Sequence, residues 1–243
     1  MIPPLVIDAW TAEILPRLSR TEDGVSGSAQ FSALALDQLP HPVAGGDVVV
    51  VDLRAEAHGF LNGHAVSWYA LHNHGAAPEA SSRVERELLS HLAGQVGQTV
   101  LLGTKASALN GEPPPHQVVV ESVSDERQLV EARGLRYLRL PVADHSGPEP
   151  WIKDAFVAAA THWGALDHVH FHCRGGKGRT ATFRAMWARL RGDRTETFDD
   201  WLAHQAAATG YDLRSLPAPD LWKRPLIEAR LDFLKRFHAE TSG

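Results

Sequence analysis

Apolar and β-branched residues fall into short runs that alternate with stretches of helical spacing. The runs compact enough to predict buried strands are residues 47–53, 98–102, 117–120, 135–140 and 166–172. Apolar residues three and four positions apart predict helices at residues 81–92, 124–133, 151–163, 180–190, 198–208 and 220–238. Thr197, with Asp200 three residues later, is typical of a helix start. Strands alternating with helices predict an α/β fold with a mainly parallel sheet flanked by helices.

The chain shows no internal repeat over its 243 residues, and biased composition is confined to residues 75–82 and 110–115, which are typical of surface loops. An apolar fraction of 44% is enough to bury a substantial core. We therefore expect a single domain over residues 1–243, with a small elaboration of the substrate pocket within residues 60–120.

The charge balance narrows the classes of partner. Lysines and arginines number 24 against 29 aspartates and glutamates, so the net charge is −5, which argues against a general binder of nucleic acids or anionic membranes. No apolar run approaches the ~20 residues needed to cross a bilayer. We expect a cytoplasmic protein, or a periplasmic or secreted one if a signal peptide has been removed. The oligomeric state stays open.

Because Cys173 is the only cysteine, the chain has neither an intrachain disulfide nor a cysteine-rich zinc site. Cys173 begins the segment Cys-Arg-Gly-Gly-Lys-Gly-Arg-Thr, between the last predicted strand and a predicted helix. Gly175, Gly176 and Gly178 allow a tight loop whose backbone N–H groups point at one centre, and the helix N-terminus adds partial positive charge. A tetrahedral phosphoryl group fits such a cradle, whose dipoles favour a nucleophilic thiolate.

The other side chains of this loop suit phosphate chemistry. Arg179 can hold two phosphoryl oxygens in a bidentate manner, an attraction that strengthens in the transition state. Thr180 can donate its hydroxyl to the sulfur of Cys173, cap the following helix, or do both. Arg174 and Lys177 add two cations, which favour a polyanionic substrate unless they are simply solvated.

A different interpretation makes Cys173 a buried apolar residue at an ordinary strand-to-helix turn. That interpretation does not account for cysteine, arginine and threonine in one register. A rhodanese-like sulfurtransferase loop also carries a cysteine but lacks the closing Arg-Thr pair. We therefore favour a cysteine-dependent phosphatase with Cys173 as nucleophile and Arg179 as phosphate clamp.

Three segments carry a family resemblance. The sequence His-Cys-x5-Arg-Thr from His172 resembles the signature of the protein tyrosine phosphatase superfamily. Residues 51–63 resemble the Asp-Leu-Arg-x-Glu-x-His-Gly segment of the bacterial tyrosine-phosphatase-like phytases, and residues 144–150 resemble the acid loop of that family, Asp-His-x-x-Pro. The resemblance covers most of the chain from about residue 17 to residue 238. It implies a dual-specificity-phosphatase-like fold and hydrolysis of myo-inositol polyphosphates, phytate above all, through a phosphocysteine intermediate with no cofactor.

Asp144 is the candidate general acid. It follows a predicted strand on a loop, where a mobile carboxylic acid can protonate the leaving alkoxide and later take a proton from water. An Asx-turn is the structural alternative. Glu149 and Asp154 are other acid candidates, although neither matches the family motif. His145 is expected either to contact a substrate phosphate or to pack.

Histidines alternate along the last predicted strand. His168, His170 and His172 should project from one face, which suggests a metal site. No carboxylate or cysteine in the pattern completes such a site, so we expect no metal. His172 is expected instead to fix the cysteine loop by hydrogen bonding. Gln205, on a later helix, either orients the hydrolytic water or is a solvated residue.

Candidate contacts to distal phosphates are Arg20, Arg54 and Lys223. Arg54 has a structural alternative, an ion pair with Glu56. The predicted partner is a small polyanionic substrate rather than a nucleic acid. Two other functions stay open: a protein tyrosine, dual-specificity or phosphoinositide phosphatase, and a non-catalytic phosphate-binding module. The second is disfavoured because nucleophile, clamp and candidate acid are all present.

Overall fold

The computed structural model describes residues 2–21, 24–39, 45–192 and 194–242. Its strands are β1 (Leu5–Ala9), β2 (Ser19–Arg20), β3 (Val25–Ser28), β4 (Val48–Arg54), β5 (His58–Leu61), β6 (His64–Trp68), β7 (Thr99–Leu102), β8 (His116–Val119), β9 (Val123–Ser124), β10 (Arg136–Val142) and β11 (His168–His172). Its α-helices are α1 (Ser81–Ala93), α2 (Lys105–Asn110), α3 (Glu126–Glu131), α4 (Pro150–His162), α5 (Gly178–Arg191), α6 (Phe198–Thr209) and α7 (Arg224–Glu240).

The central sheet has the strand order β10-β4-β11-β3-β2. Its first four strands are parallel, and only the edge strand β2 is antiparallel. All seven residues of β4 are buried, as expected for a parallel strand covered on both faces. The prediction of an α/β fold with a mainly parallel central sheet is confirmed.

The two faces of the central sheet pack against different apolar clusters. Val49 belongs to the cluster that contains Phe156 of α4 and Phe183 of α5. Its neighbour Val48 belongs to a second cluster, which contains Phe31. Successive residues of a strand point to opposite faces, so the run of four valines in β4 supplies both clusters. This two-sided burial holds β4 and β11 rigidly at the centre of the sheet.

Two strands expected to be buried lie outside the central sheet. The segments predicted at residues 98–102 and 117–120 become β7 and β8, which pair antiparallel with each other. Leu101 and Val119 are 56% and 50% exposed. Apolar, β-branched composition does not distinguish such a two-stranded ribbon from a core strand. The short helix α2 was not predicted, whereas the proline-rich segment after it is a loop, as expected for residues 110–115.

A second sheet, with the order β1-β6-β5-β9, is antiparallel throughout and was not predicted. Strands β5 and β6 form a hairpin around Asn62 and Gly63, whose φ angles are 53° and 79°. A left-handed conformation at both turn residues is typical of a type I′ turn, which favours Asn-Gly. That dipeptide is the sequence signal for this hairpin.

The helices largely follow the predicted spacing. Helix α6 begins after Thr197, whose hydroxyl accepts a hydrogen bond from the Asp200 N–H at 3.2 Å. This cap contributes about 1 kcal/mol and confirms the predicted start. Helix α7 begins at Arg224 rather than at residue 220, because Pro225 suits a first turn. None of the helices in the described ranges is long and apolar enough to span a membrane.

The parallel strands bring separate parts of the chain to one edge. The carboxyl ends of β3, β4, β10 and β11 face the same side of the sheet, so the segments that follow them converge. These segments carry the cysteine loop, the part of the 51–63 motif that follows β4, and the acid loop.

Candidate active site

The cysteine loop, residues 173–177, joins β11 to α5 as predicted. Gly176 has a φ of 61°, and a Cβ atom there would overlap the backbone of Ser28 and Ala29 at the end of β3. The backbone N–H of Gln30 donates to the carbonyl of Arg174 at 3.2 Å. Glycine at position 176 is therefore required for the loop to lie directly on the sheet edge.

Cys173 lies at the base of the loop and is 3% exposed. The Thr180 hydroxyl donates to its Sγ at 3.2 Å, which matches one of the two roles predicted for Thr180. The capping role is not seen: α5 has Lys177 as its N-cap, without a side-chain capping bond. A Cβ atom on Gly27 of β3 would lie 2.7 Å from the Thr180 methyl group, so this glycine leaves room for the threonine.

Arg179 is held by a buried carboxylate. Its Nη1 and Nη2 lie 2.6 and 2.9 Å from the two carboxylate oxygens of Glu56, and Nη1 also donates to the Val142 carbonyl at 3.0 Å. Within the described chain, its Nε has no hydrogen-bond partner. The guanidinium is thus locked on one edge and retains a free donor on the other, which is suited to a phosphoryl oxygen.

Arg54 lies behind this pair. It is fully buried, and its Nε donates to Glu56 at 3.0 Å. Its Nη1 donates to Gln30 at 2.7 Å and lies 2.9 Å from an oxygen of Asp8. Arg54 is therefore in the scaffold, the structural alternative predicted for it, and not at a surface where a distal phosphate could bind.

Arg174 is not simply solvated. Its Nε donates to Asp8 at 2.6 Å, and its guanidinium lies 4.9 Å from the centre of the Tyr69 ring. Burial acts to raise the pKa of Asp8, but Arg54 and Arg174 outweigh burial and lower it. Lys177, by contrast, is exposed. The two loop cations therefore differ: one is fixed in place and the other is free to move.

Asp144 reaches the loop from the end of β10. Its Oδ1 lies 3.3 Å from Nη2 of Arg179, and its Oδ2 accepts a hydrogen bond from Asn73 at 3.1 Å. Burial acts to raise the pKa of Asp144, but the Arg179 guanidinium, together with His145 and the Asn73 hydrogen bond, outweighs burial, and the pKa is lowered. A phosphoryl dianion on Arg179 would offset that cation and allow the pKa to rise, as a proton donor requires.

The other candidate residues near Asp144 differ in their surroundings. His145 adopts a left-handed φ of 67° and packs edge-on against Trp222, with ring centroids 5.3 Å apart. Burial lowers the pKa of its imidazole. The other acid candidates lie away from the cysteine: Glu149 accepts a hydrogen bond from Trp151, and Asp154 is exposed.

These residues border a cleft of about 480 Å³ above Cys173. His145, Gly175 and Gly178 line it, together with Tyr211. Among the described residues, one carboxylate, Asp144, lines the cleft. The basic side chains around it are Arg17, Lys105, Arg174, Lys177, Arg179, Lys223 and Arg230. The strongly basic cleft therefore contrasts with the negative net charge of the chain.

Two predicted contacts fall elsewhere within the described part of the chain. Arg20 donates to the carbonyl of Gln38 at 3.0 Å and does not line the cleft, whereas Arg17 does. Gln205 is half-buried on α6 and does not line it either; Tyr211, after that helix, does. The pairing of β2 sets the position of Arg20, and the end of α6 sets the positions of Gln205 and Tyr211. The spacing of the motifs could not predict either.

Arg230 is a cleft residue that was not predicted. It is 1% exposed, and its Nε and Nη2 have no hydrogen-bond partner in the described ranges. It shares the buried face of α7 with Ile227 and Leu234. An arginine at apolar spacing on a helix is the signal that could have found it, because a buried charge needs a partner.

The histidines of β11 contact β3 and α3 rather than the cysteine loop. His168 and His170 both contact the Ser26 hydroxyl at 2.7 Å, and His170 also contacts Ser28 at 3.0 Å. His172 pairs through Nε2 with Glu126 at 2.6 Å. The predicted hydrogen bond from His172 to the cysteine loop is therefore replaced by a contact with the Glu126 carboxylate of α3.

A buried ion network surrounds His172. Asp52, Glu126 and His172 place ligand atoms within 4.8 Å of one another, as a metal site would. The network already contains its own cations, however. His58 lies 3.0 Å from Glu85 and 3.4 Å from both Asp52 and Glu126. These contacts account for the carboxylates as ion-pair partners, without a metal.

Protonation of His58 is favoured by this network. Burial alone would lower the pKa of its imidazole, but Glu85 and Asp52 outweigh burial and hold the pKa well above its ordinary value. Burial likewise acts to raise the pKa of Glu126, and His172 lowers it to about 2. The base of the site is therefore an assembly of mutually neutralising charges.

We expect His58→Gln to change how stability depends on pH. A raised pKa in the folded state stabilises the protein fully below the ordinary histidine pKa of about 6.5, and this contribution is lost as pH rises through the folded value. The melting temperature of the wild type should therefore fall from about pH 6.5 upward, and that fall should be much reduced in the variant. Parallel curves across this range would contradict the assignment.

Glu56→Gln should destabilise the fold by about 3–5 kcal/mol, because it leaves two buried guanidiniums without their carboxylate. Glu228→Gln is the matched control: Glu228 pairs with Arg224 one helical turn away, at 2.7 Å on a partly exposed face. Its loss should cost only about 0.3–0.5 kcal/mol. Urea unfolding of both variants measures the difference, and equal costs would refute the proposed role of Glu56.

Comparison with known proteins supplies relatives for this geometry. The family model for PTP-like phytases matches residues 51–190, and the description of that family is "inositol hexakisphosphate". A PTP-like phytase from Bdellovibrio bacteriovorus has 30% sequence identity and a TM-score of 0.84, with 98% of this chain and 88% of that chain covered.

Three further matches are to proteins longer than this chain. The tandemly repeated PTP-like phytase of Mitsuokella multacida has 26% identity and a TM-score of 0.82, covering 99% of this chain and 46% of that one. A PTP-like myo-inositol phosphatase from that organism, equally similar, is known in complex with myo-inositol-(1,3,4,5)-tetrakisphosphate. The effector protein hopD2 of Pseudomonas syringae pv. tomato is 28% identical over 204 residues, which are 81% of this chain. This chain spans 43% of that relative's length.

Proposed function

The chain belongs to the family of protein-tyrosine-phosphatase-like phytases, and we propose from that premise that it hydrolyses phosphomonoesters of myo-inositol polyphosphates. Phytate is the leading substrate. The observation that carries this proposal is the charge of the cleft, in which basic side chains surround a single carboxylate among the described residues. A substrate with several phosphates is the natural complement of such a surface.

The unpaired donors of the cleft support a polyanion more specifically. Arg174, Arg179 and Arg230 are largely buried, and each has a side-chain nitrogen without a hydrogen-bond partner in the described ranges. Buried donors without partners are costly, so a ligand that accepts from them binds tightly. Phosphate oxygens are such acceptors, and three separate guanidiniums can engage more than one phosphate. A nucleic acid is disfavoured because the basic character is confined to a cleft.

The first chemical step forms a phosphocysteine. The Cys173 thiolate attacks phosphorus, and the bond from phosphorus to the leaving inositol oxygen breaks. Asp144 gives its proton to that oxygen, so that inositol leaves as an alcohol. Arg179 and the loop N–H groups stabilise the charge on the equatorial oxygens. The sulfur now carries the phosphoryl group, and Asp144 is a carboxylate.

The second step returns the enzyme to its starting state. Water attacks phosphorus, the Asp144 carboxylate takes a proton from it, and the bond between sulfur and phosphorus breaks. The sulfur leaves as a thiolate and receives the hydrogen bond that the Thr180 hydroxyl already makes at 3.2 Å. Inorganic phosphate is released. Neither step routes through a metal or another cofactor.

A protein tyrosine phosphatase is the second candidate, favoured by the resemblance of His-Cys-x5-Arg-Thr, from His172, to the signature of the protein tyrosine phosphatase superfamily. A phosphotyrosine side chain carries one phosphate, so it would use Arg179 and leave the outer cations of the cleft without partners. Rates on phytate, a phosphotyrosine peptide and a phosphoinositide separate the candidates. We expect the highest kcat/KM on phytate, and a preference for the peptide would replace the proposal.

Asp144→Asn should reduce kcat on phytate by about 10²–10⁴, the usual range for loss of a general acid. p-Nitrophenyl phosphate has a good leaving group, so the burst that forms phosphocysteine from it should change much less. Glu149→Gln and Asp154→Asn are matched controls and should leave both reactions unchanged. Equal, small effects of Asp144→Asn on both substrates would limit this aspartate to a structural role.

Lys223→Gln should raise KM for phytate and leave turnover of p-nitrophenyl phosphate unchanged, because Lys223 lines the cleft but lies outside the cysteine loop that would hold the reacting phosphoryl group. A lost charge-assisted contact of about 1.5–3 kcal/mol corresponds to roughly a 10- to 150-fold change. Lys235→Gln removes an exposed lysine of the same helix that pairs with Asp232, and it should affect neither substrate. An unchanged KM for phytate in Lys223→Gln would count against a polyanion contact there.

A further inference from the structure

A buried amide contacts the candidate acid from a segment that none of the sequence motifs includes. Asn73 lies between β6 and α1 and is 3% exposed. Its Nδ2 donates to Oδ2 of Asp144 at 3.1 Å. The next residue, His74, contacts the Asp144 backbone carbonyl through Nε2 at 3.0 Å. The segment therefore holds both the side chain and the main chain of the acid.

The two oxygens of Asp144 consequently have different surroundings. Oδ2 accepts from Asn73, whereas Oδ1 lies 3.3 Å from Arg179 Nη2 and accepts from the His145 N–H at 3.0 Å. Each of these groups is a donor, so both oxygens of the carboxyl are held in place by the groups around them. The Asn73 amide therefore fixes the rotation of the carboxyl that places Oδ1 next to the guanidinium that would hold the phosphoryl group.

The backbone on both sides of this contact adopts a conformation that non-glycine residues seldom occupy. The φ angles of His72, Asn73 and His145 are 59°, 64° and 67°. Such residues persist where the surrounding structure fixes them, and they are concentrated at functional sites. The His72 ring stacks on Trp222 with centroids 3.8 Å apart, which anchors the segment at the rim of the cleft.

We propose that Asn73 is a positioning residue for the general acid, fixing the orientation of the Asp144 carboxyl. This inference rests on the proposed function and goes beyond it, because it assigns control of the acid to a segment remote from the cysteine loop. Asn73 touches neither the sulfur nor the phosphoryl site and acts only through Asp144.

Asn73→Gly removes the amide and tolerates the left-handed backbone. We expect kcat on phytate to fall about 10- to 100-fold, the scale of a misplaced catalytic group, with KM nearly unchanged. Loss of a donor to the carboxylate also raises the pKa of Asp144, so the alkaline limb of kcat/KM should move to higher pH. Asn73→Asp, which keeps the side-chain shape but adds a negative charge, should move the limb further in the same direction.

Other charged and titratable groups around Asp144 are the same in wild type and variants. They are Arg179, Glu56, His145, His74, Tyr69 and Lys105. Asn62→Gly is the matched control: Asn62 is also a left-handed asparagine, and its amide donates to Val119 at 2.7 Å, in the hairpin turn. It should leave the alkaline limb in place.

A double-mutant cycle with Asp144→Asn completes the test. If Asn73 acts through the acid, adding Asn73→Gly to Asp144→Asn should lower kcat by no more than about twofold further. Multiplying losses, or a wild-type rate and an unmoved limb in both single Asn73 variants, would overturn the inference. If Asp144→Asn itself left phytate hydrolysis unimpaired, the proposed chemistry would fail instead. These two failures are therefore distinguishable.

Discussion

The site depends on one buried ion pair, between Glu56 and Arg179. Two guanidiniums, Arg54 and Arg179, share the Glu56 carboxylate, and Asp8 supplies a second negative charge to Arg54. Each of these buried carboxylates is thus shared by two guanidiniums, because Asp8 also accepts from Arg174. Loss of either carboxylate would leave an uncompensated charge directly beneath the cysteine loop. The position of the phosphate clamp is therefore set by the sheet below it and not by the loop alone.

Local sequence was sufficient to predict the chemistry of the loop. Cys173, Arg179 and Thr180 lie within one strand-to-helix turn, so their spacing along the chain nearly determines their spacing in space. The central strands were predictable for a similar reason, because a run such as the four valines of β4 has few other ways to be buried. Asp144 and Glu56 were found through motifs that a known family shares.

Residues that act through long-range contacts were not predictable in this way. The pairing of His172 with Glu126 and the contact of Asn73 with Asp144 join segments 46 and 71 positions apart. A single sequence does not indicate such long-range contacts. The one signal it offers is a polar residue at an otherwise apolar position, as at Arg230. The strands β7 and β8 were wrongly expected to be buried. The apolar composition of a strand does not reveal which strand it pairs with, and pairing decides whether it lies in the core. The extent of the domain and the roles of the distal cations stay predictions.

Strand order has a further consequence for this site, because it sets the distance between the strand ends that lead to the acid and the nucleophile. Strands β10 and β11, which end near Asp144 and Cys173, are separated by β4 alone. Adjacent strands are about 4.8 Å apart, so the acid and the sulfur start from positions about 10 Å apart. That interval leaves space for a phosphoryl group with an attacking atom on one side and a leaving atom on the other. The intervening strand leads directly to Glu56, which holds Arg179 between them. The separation between the strand ends that lead to nucleophile and acid is therefore fixed by backbone hydrogen bonding across three strands, and exchange of side chains in the loops would leave the spacing of these strand ends unchanged.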